Sequence, residues 1–299
     1  MKVSVVIPTR NRERIIYKCV KHIMEQDYSP YEVIVVDDGS EDNTEEVLKD
    51  FSKYRNFRYI PLSERKGPAF CRNLGVRESE GDLIIFIDSD IFVLPDFISS
   101  HVKIHRNYPD GVVAVGPVIA ISQMDSEVSK KGSILDFSNA YFASGNASIP
   151  KDIFMRVNGF DEVFNVYGWE DIDFGLKLKS SGIKSVKVPD AIGYHYQPLP
   201  DESGLRALIE KERERARSAL YLLKKYPTFE VRLMIQDTLF HRVLNQILTG
   251  FGYINEERIK HILKSNKSFD YKRFYLTVFL TRIYLEALRE EIKNTNNRG

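Results

Sequence analysis

Two aspartates that follow a short apolar run could together bind a divalent cation. Residues 84–87 are all apolar and lead directly into Asp88-Ser89-Asp90. Carboxylates one residue apart repel each other, and a cation relieves that repulsion. Mg²⁺ and Mn²⁺ accept carboxylate oxygens and keep open positions for water and phosphate oxygens. We therefore expect a metal–diphosphate site here. The alternative is a solvated loop in which the two aspartates cap a helix.

The elements around these aspartates predict a mostly parallel sheet. The run 84–87 is typical of a strand buried on both faces. Similar strands are predicted at 3–7, stopped by Pro8, at 33–36 and at 57–60, with helices at about 15–23, 41–54 and 68–76 between them. Strands that alternate with helices indicate right-handed crossovers. Polar loops at Arg10, Asp38 and Asp88 each follow a strand, so we expect them to meet at one edge of the sheet.

The middle of the chain is less regular. Strands are predicted at 112–115 and 183–188, a polar loop at 122–133, and tight turns at 142–147 and 158–162. Residues 169–173, Trp-Glu-Asp-Ile-Asp, contain three carboxylates and the only tryptophan of the chain. The apolar residues after them fit both a strand period and a helix period, so the pattern leaves both structures open.

The last third of the sequence predicts helices. Residues 197–204 have the composition of a linker. Beyond it, helices are predicted at 205–223, at 231–248, around 259–263 and at 274–288. Their amphipathic faces indicate packing against one another and against the first domain. A peripheral membrane contact and a homo-oligomer contact are the alternatives for these faces.

Composition excludes several classes of protein. The net charge of +1 gives no signal for nucleic-acid binding. Cys19 and Cys71 form neither a CxxC pattern nor a disulfide framework, which is typical of a reducing cytosol. The sequence has no signal-peptide pattern and no uncharged apolar stretch of membrane-spanning length, so we expect a cytoplasmic protein, with membrane association as the alternative. The chain has no GxGxxG motif after the first strand and no GxxxxGK[ST] motif. The sequence therefore supports neither a standard dinucleotide-binding site nor a P-loop NTPase.

Seven segments together resemble the family-2 glycosyltransferases of the GT-A fold. In chain order they are VSVVIPTRNR, VIVVDDGSED, ERKGPAFCRNLG, FIDSD, FASGNASIP, NGFDE and GWEDIDFGLKLKSSG. The resemblance covers residues 1–196 and does not include the helical tail. The GWEDID segment also resembles the acceptor-side motif of galactosyl- and N-acetylgalactosaminyltransferases.

The resemblance implies a fold and an activity. The expected fold is an α/β GT-A domain over residues 1–200, which binds the nucleotide sugar and carries out catalysis, followed by a helical region over 205–299. The expected activity is that of an inverting glycosyltransferase. Its donor would be a nucleotide-diphosphate sugar, UDP-linked, and its acceptor a hydroxyl of a glycan or glycoconjugate. Mn²⁺ or Mg²⁺ would be the cofactor.

The resemblance also implies roles for individual residues. Asp38 would accept a hydrogen bond from uracil N3–H, and Arg72 would lie near the diphosphate, where its planar fork suits phosphate oxygens. Pro8 and Thr9 would shape the base pocket, and Arg10 stands where the family often has an aromatic residue. The full nucleotide-sugar set is Pro8, Thr9, Arg10, Asp38, Gly67, Arg72, Asp88, Ser89, Gly145 and Asn146.

The remaining implied roles concern the metal and the acceptor. Asp90, Asp88 and His195 would ligate the metal, and a structural role is the alternative for His195. Asp171 would be the catalytic base and Glu170 would hold an acceptor hydroxyl or a backbone N–H. The implied acceptor-binding residues are Trp169 and Asp173, and the resemblance implies that a helix begins near Trp169.

Three other classes of protein share parts of this pattern. A sugar-nucleotide nucleotidyltransferase would carry a Gly-rich loop after its first strand, where this chain has PTRNR. A haloacid-dehalogenase-type phosphatase has its Asp-x-Asp motif after the first strand, whereas Asp88 follows the fourth predicted strand. A non-catalytic sugar-binding or scaffolding protein would not need Asp38, Asp90 and Asp171 together.

Overall fold

The computed structural model describes residues 1–124 and 140–296, and the chain forms two compact units. The first unit comprises Met1–Asn165 and Glu170–Gln197, and the second comprises Val166–Trp169 and Pro198–Gly299. The short segment Val166–Trp169 therefore groups with the helical tail and not with its neighbours in the chain. Of the polar loop predicted at 122–133, residues 125–133 lie outside the described residues.

The first unit contains ten strands and six helices in the described residues. The strands are β1 (Val3–Thr9), β2 (Tyr31–Asp37), β3 (Phe57–Pro61), β4 (Leu83–Ile87), β5 (Ile91–Val93), β6 (Val113–Val115), β7 (Val118–Ile121), β8 (Asn146–Pro150), β9 (Ser185–Lys187) and β10 (Gly193–Tyr196). The helices are α1 (Ile16–Met24), α2 (Thr44–Leu48), α3 (Pro68–Glu78), α4 (Phe97–Asn107), α5 (Lys151–Arg156) and α6 (Glu170–Ser180). A 3₁₀ turn at Lys49–Phe51 extends α2, so the helix predicted at 41–54 is shorter than expected.

A seven-stranded sheet of order β3-β2-β1-β4-β8-β6-β9 forms the centre of the first unit. The pairs β3–β2, β2–β1, β1–β4 and β6–β9 are parallel, and β8 is antiparallel to both of its neighbours. A second sheet has the order β5-β10-β7. The predicted class, a mostly parallel α/β sheet followed by helices, is confirmed.

The apolar strands of the large sheet are buried on both faces, as their continuous apolar sequence predicts. In β2, Val33 and Val35 belong to the large core cluster on one face, whereas Ile34 and Val36 pack with Cys71 on the other. All five residues of β4 are buried. Because both faces are covered, the polar side chains of these strands lie at or near their ends, as Ser4 and Glu32 do at the start of β1 and β2.

The prediction that Pro8 stops the first strand was wrong. β1 continues through Pro8 to Thr9, with Pro8 opposite Val36 of β2. Pairing with β4 ends earlier, at Val6 opposite Phe86. Pro8 therefore has a strand partner on the β2 side only. A proline is tolerated at such a position because its missing N–H leaves no strand hydrogen bond unmade.

Several short elements were absent from the sequence prediction. The turn expected at 142–147 ends in the strand β8, and β5, β7 and β10 had no recognisable pattern. The acidic segment resolves as a helix, because α6 begins at Glu170, immediately after Trp169. The helix start implied by the family resemblance is therefore confirmed.

The second unit is helical over its described residues. Its helices are α7 (Glu202–Lys225), α8 (Phe229–Met234), α9 (Leu239–Leu248), α10 (Glu256–Lys264) and α11 (Phe269–Asn296), with a 3₁₀ turn at Gly250–Gly252. α7 and α11 pack along each other, and the apolar core includes Leu205, Ile259 and Phe279. Across residues 1–124 and 140–296, no helix is both long and apolar enough to cross a bilayer.

The single helix predicted at 231–248 is in fact two helices. Gln236 has a positive φ of 61°, which ends α8. Thr238 then caps α9, since its side chain accepts a hydrogen bond from the His241 N–H. Asp237, which is buried between the helices, pairs with Arg232 of α8 and with Arg242 of α9. The apolar spacing continues through this break, so the sequence pattern gave no sign that the helix ends there.

Candidate functional site

The polar loops after β1, β2 and β4 meet at one edge of the large sheet. The Asp38 N–H donates to the Thr9 carbonyl at 2.8 Å, and the Asn11 N–H donates to Ser40 Oγ at 2.8 Å. Arg12 Nη2 lies 3.4 Å from Asp90 Oδ2. The convergence expected from the strand order is therefore observed.

Asp90 and His195 are brought together by the small sheet. β5 begins at Ile91, immediately after Asp90, and His195 of β10 is in register with Ile91. The Tyr196 N–H donates to the Asp90 carbonyl at 2.9 Å, and His195 Nε2 lies 3.2 Å from Asp90 Oδ1. Gln197 Nε2 contacts the other ring nitrogen, Nδ1, at 2.9 Å and orients the imidazole.

Arg72 of α3 links two acidic residues from distant parts of the first unit. Its Nη2 donates to Asp88 Oδ1 at 2.9 Å, and its Nη1 donates to Glu170 Oε1 at 3.1 Å. The Arg72 side chain is only 4% exposed. Burial opposes its charge, but Asp88, Asp171 and Glu170 together outweigh that effect and raise the pKa of the guanidinium.

Asp171 lies at the start of α6, beside this ion-pair chain. Its Oδ2 accepts a hydrogen bond from the Ser144 N–H at 2.9 Å. Its Oδ1 and Glu170 Oε2 are buried, and neither has a hydrogen-bond partner in the described structure. Burial raises the pKa of Asp171 to about 7; Arg72 opposes this increase and Glu170 adds to it. A carboxyl group with this pKa can exchange a proton near neutral pH.

Two further buried polar atoms lie at the end of β1. Thr9 Oγ1 and Arg10 Nη1 are both buried, and neither makes a hydrogen bond within the described residues. Arg10 Nη2 is 3.6 Å from Glu41 Oε1. Pro8, which precedes them in the strand, is half-buried. Buried polar atoms are normally paired, so these atoms are available to a ligand.

Asp38 is buried and holds the turn that precedes α3. Its carboxylate accepts hydrogen bonds from the Lys66 N–H at 2.6 Å and from the Gly67 N–H at 3.0 Å. Gly67 has a φ of 93°, and a Cβ there would lie 2.5 Å from the Asn165 carbonyl oxygen. Only glycine fits this position without displacement of the backbone. Asp38 does not cap α2, whose first residue is Thr44.

Gly145, just before β8, lies at the site, whereas the side chain of Asn146, the first residue of β8, lies in the interior. A Cβ on Gly145 would be 3.1 Å from Asp88 Oδ2, so this glycine borders the aspartate. Ser89, which follows Asp88 in the chain, is buried. Asn146 is fully buried, and its Nδ2 donates to the carbonyls of Pro117 and Ala191 at 3.1 and 2.7 Å. The structure does not bring the Asn146 side chain into the cluster.

Trp169 and Asp173 contact residues outside the cluster. Trp169 has a φ of 71° and groups with the second unit, where its Nε1 donates to the Arg215 carbonyl at 2.9 Å. The Arg215 guanidinium carbon lies 5.6 Å from the Trp169 ring centroid and 4.1 Å from that of Tyr284. Asp173 is fully buried, with Oδ2 3.6 Å from Lys177 Nζ.

Sequence reasoning missed three groups at the site. They are Arg12 beside Asp90, the Ser144 N–H on Asp171, and Gln197 on His195. Arg12 stands two residues after Arg10 in the RNR run, which was the only available signal. A main-chain donor such as Ser144 N–H leaves no trace in the residue type.

The residues present suit a divalent cation that also binds phosphate. Among the described residues, no three His, Cys, Asp or Glu side chains form a group that could hold a metal. Asp90 and His195 nevertheless present one carboxylate oxygen and one imidazole nitrogen 3.2 Å apart. Mg²⁺ and Mn²⁺ commonly take one or two carboxylates and complete their shell with water and substrate phosphates. An imidazole ligand favours Mn²⁺ over Mg²⁺.

The chain belongs to the family described as Glycosyl transferase family 2, whose model matches residues 4–161. It is 28% identical over 244 residues to the chondroitin synthase of Escherichia coli, an alignment that covers 67% of this chain and 35% of that protein. It therefore spans about a third of the length of that relative.

Solved structures show the same fold at low sequence identity. One is a mannosyltransferase from Pyrobaculum calidifontis in complex with GDP-Man and Mn²⁺, with a TM-score of 0.64, 19% identity, and coverage of 99% of this chain and 88% of that one. Another is residues 1–349 of S. aureus TarS in complex with UDP, with a TM-score of 0.55, 18% identity, and coverage of 98% and 92%. The predicted GT-A fold is thus confirmed.

Proposed function

We propose that the protein is an inverting glycosyltransferase that moves a sugar from a UDP-linked donor to a hydroxyl of a glycan or glycoconjugate. The observation that carries this proposal is a set of buried polar atoms without partners in the described structure. Thr9 Oγ1 and Arg10 Nη1 follow one strand, and Glu170 Oε2 and Asp171 Oδ1 begin α6. A donor nucleotide would pair the first two atoms, and an acceptor hydroxyl would pair the carboxylates.

Family membership and the solved structures support a nucleotide-sugar donor. The P. calidifontis mannosyltransferase binds GDP-Man with Mn²⁺, and TarS binds UDP. For this chain we assign the uracil N3–H to Asp38, because a carboxylate accepts and never donates. Two backbone N–H groups bind the Asp38 carboxylate and fix its orientation. Gly67, Ser89 and Gly145 would leave room for the ribose and diphosphate.

Asp90 and His195 would hold the divalent cation, with Asp88 on the donor side of the same loop. The cation, when bound, would neutralise charge on the diphosphate as it leaves. Arg12, 3.4 Å from Asp90, offers a permanent positive charge beside the same phosphates. Arg72 has a different role in this proposal: it holds Asp88 and Glu170 in place and adds one positive charge.

Asp171 would act as the catalytic base. The acceptor oxygen forms a bond to the anomeric carbon while the bond from that carbon to the diphosphate oxygen breaks, and the diphosphate leaves with the electron pair. The acceptor proton passes to Asp171 Oδ1, while Oδ2 stays fixed by the Ser144 N–H. Glu170 would orient the acceptor hydroxyl. Inversion of configuration requires the base and the leaving group to lie on opposite sides of the sugar, and this is the arrangement that we propose.

Trp169, Asp173 and Asn146 would act indirectly in this scheme. Trp169 directly precedes α6 and donates a hydrogen bond to the Arg215 carbonyl, and Asp173 is buried beside Lys177. Asn146 ties the start of β8 to the carbonyls of Pro117 and Ala191. We propose that they position Glu170, Asp171 and Gly145 and do not touch the sugar.

A donor panel tests the proposed activity. The protein is incubated with UDP-, GDP- and dTDP-sugars, with and without Mn²⁺, and the released nucleotide is analysed. Metal-dependent release of UDP, increased by an acceptor glycan, is the expected result. Formation of UTP and a sugar 1-phosphate when pyrophosphate is added would indicate a nucleotidyltransferase, and release of inorganic phosphate would indicate a phosphatase. Binding of a UDP-sugar with no release on any acceptor would indicate a non-catalytic protein.

A further inference from the structure

The second unit exposes nine large apolar side chains on α8, α9 and the turn that follows. Phe229, Leu239, Phe240, Ile247 and Tyr253 are 59–76% exposed, and the others are 40–46% exposed. The complete set, called here the α8–α9 face, is Phe229, Leu233, Leu239, Phe240, Val243, Leu244, Ile247, Leu248 and Tyr253. Exposed apolar patches of this kind mark interaction sites.

The orientation of α9 is the reverse of that of an ordinary surface helix. Its only buried residue among those described is the polar Asn245, and the buried Thr249 follows it one turn later. Thr249 Oγ1 donates to the Asn245 carbonyl at 2.8 Å. The apolar residues 239, 240, 243, 244 and 247 recur at helical spacing on the other side. A helix that turns its polar side inward needs an apolar environment outside.

The interior side of α9 confirms this reversal. A cavity of about 150 Å³ lies there, and the polar residues Asn245, Gln246 and Thr249 of the α9 end and Arg282 and Glu286 of α11 line it together with Leu285. Arg282 Nε donates to Glu286 Oε1 at 2.7 Å. Polar groups thus occupy the position in which an apolar face would normally pack, and the apolar side chains are left outside.

The distribution of charge indicates what covers the face. Residues 198–299 contain 19 Lys and Arg against 13 Asp and Glu, a net charge of +6 in a chain whose total is +1. α9 itself has no acidic residue. At the edge of the face, the Arg258 guanidinium carbon lies 5.1 Å from the Tyr253 ring centroid. A basic surface around an apolar patch complements an anionic lipid headgroup layer.

A second copy of the chain fits this face less well. A two-fold interface would place the same surface on both partners and bring two units of +6 together. Like charges at an interface oppose association. The aromatic side chains Phe229, Phe240 and Tyr253 also suit the boundary between headgroups and acyl chains.

We propose that the α8–α9 face binds the surface of an anionic phospholipid bilayer, with its apolar side chains inserted at the acyl boundary and its basic residues at the headgroups. The attachment is peripheral and reversible. It requires no transmembrane helix and does not depend on which sugar or acceptor the first unit uses. It places the helical unit at a membrane surface.

Vesicle co-sedimentation of the full chain tests the proposal. The vesicles are phosphatidylcholine alone or phosphatidylcholine mixed with phosphatidylglycerol, each at low and high salt. We expect binding to the anionic vesicles that weakens with salt. The variant Phe240→Ser/Ile247→Ser should bind more than about tenfold less, because two large apolar side chains no longer leave water. Circular dichroism checks that this variant keeps its helices.

A matched control replaces equally exposed apolar residues of the first unit. Met155 and Val163 are 50% and 56% exposed, and Met155→Ser/Val163→Ser should bind the vesicles as the wild type does. Equal binding of the wild type to both vesicle types, or equal binding by the Phe240/Ile247 variant, would overturn the proposal. So would light scattering that shows a wild-type dimer dissociated by that variant, together with no vesicle binding by the wild type.

Discussion

Replacement of Arg72 by methionine should destabilise the first unit strongly, because Arg72 is the shared partner of two acids. Its side chain is 4% exposed, and that of Glu170 is 8% exposed. Water cannot replace the guanidinium at Glu170, whereas Asp88, 38% exposed, can be solvated. Removal of one member of a buried ion pair costs about 3–5 kcal/mol. Because Asp88 can be solvated, we expect a loss at the lower end of this range, about 3 kcal/mol.

A calorimetric melt measures this loss. About 3 kcal/mol corresponds to a decrease in Tm of about 6–12 °C for a unit of this size. The control is Arg77→Met on the same helix. Its ion pair with Glu162 spans 3.3 Å, but both side chains are more than 40% exposed, so the change should cost at most about 1 kcal/mol. If the two variants melt at the same temperature, the buried Arg72 network does not stabilise the fold.

Four further predictions concern three variants, Asp171→Asn, His195→Asn and Trp169→Phe. Asp171→Asn should leave donor binding intact, lower kcat by roughly 10²–10⁴, and abolish the loss of activity below about pH 7; retention of the acidic limb would assign it to another group. The pKa of Asp171 is raised from 3.8 on folding, so ionisation of this group lowers stability as pH rises from about 4 to 7, and Asp171→Asn should raise Tm at pH 8 but not at pH 4. His195→Asn should weaken activation by Mn²⁺ more than activation by Mg²⁺, and equal loss with both ions would remove imidazole from the ligand set. Trp169→Phe loses the hydrogen bond to the Arg215 carbonyl and should lower kcat about tenfold at unchanged acceptor KM, whereas a raised KM alone would indicate direct stacking on the acceptor.

The edge of the sheet that carries the site could be predicted because its strands are buried on both faces. Val33 to Val36 and the β4 residues read as apolar runs, and the polar residues Asp38 and Asp88 could only follow them. Because strands that alternate with helices form a parallel sheet, the loops after these strands could be predicted to lie at the same edge. The start of α6 needed the family resemblance, because periodicity fitted both a strand and a helix.

Other features depend on contacts that leave no local pattern. His195 reaches Asp90 through β5 and β10, strands of three and four residues that are too short to show a period. Asn146 looked like a turn residue, but its amide binds interior carbonyls. The break between α8 and α9 depends on Asp237, which two arginines from different helices bind.

Calorimetric titration of UDP tests the central proposal, a metal-dependent diphosphate site at Asp90, most directly. The protein is titrated with UDP in the presence of Mn²⁺ and again after removal of divalent ions with EDTA, and both titrations are repeated with Asp90→Asn. We expect tight binding only for the wild type with Mn²⁺, because Asp90 would supply the carboxylate that holds the cation against the phosphates. Binding of UDP with the same Kd in all four titrations would contradict it.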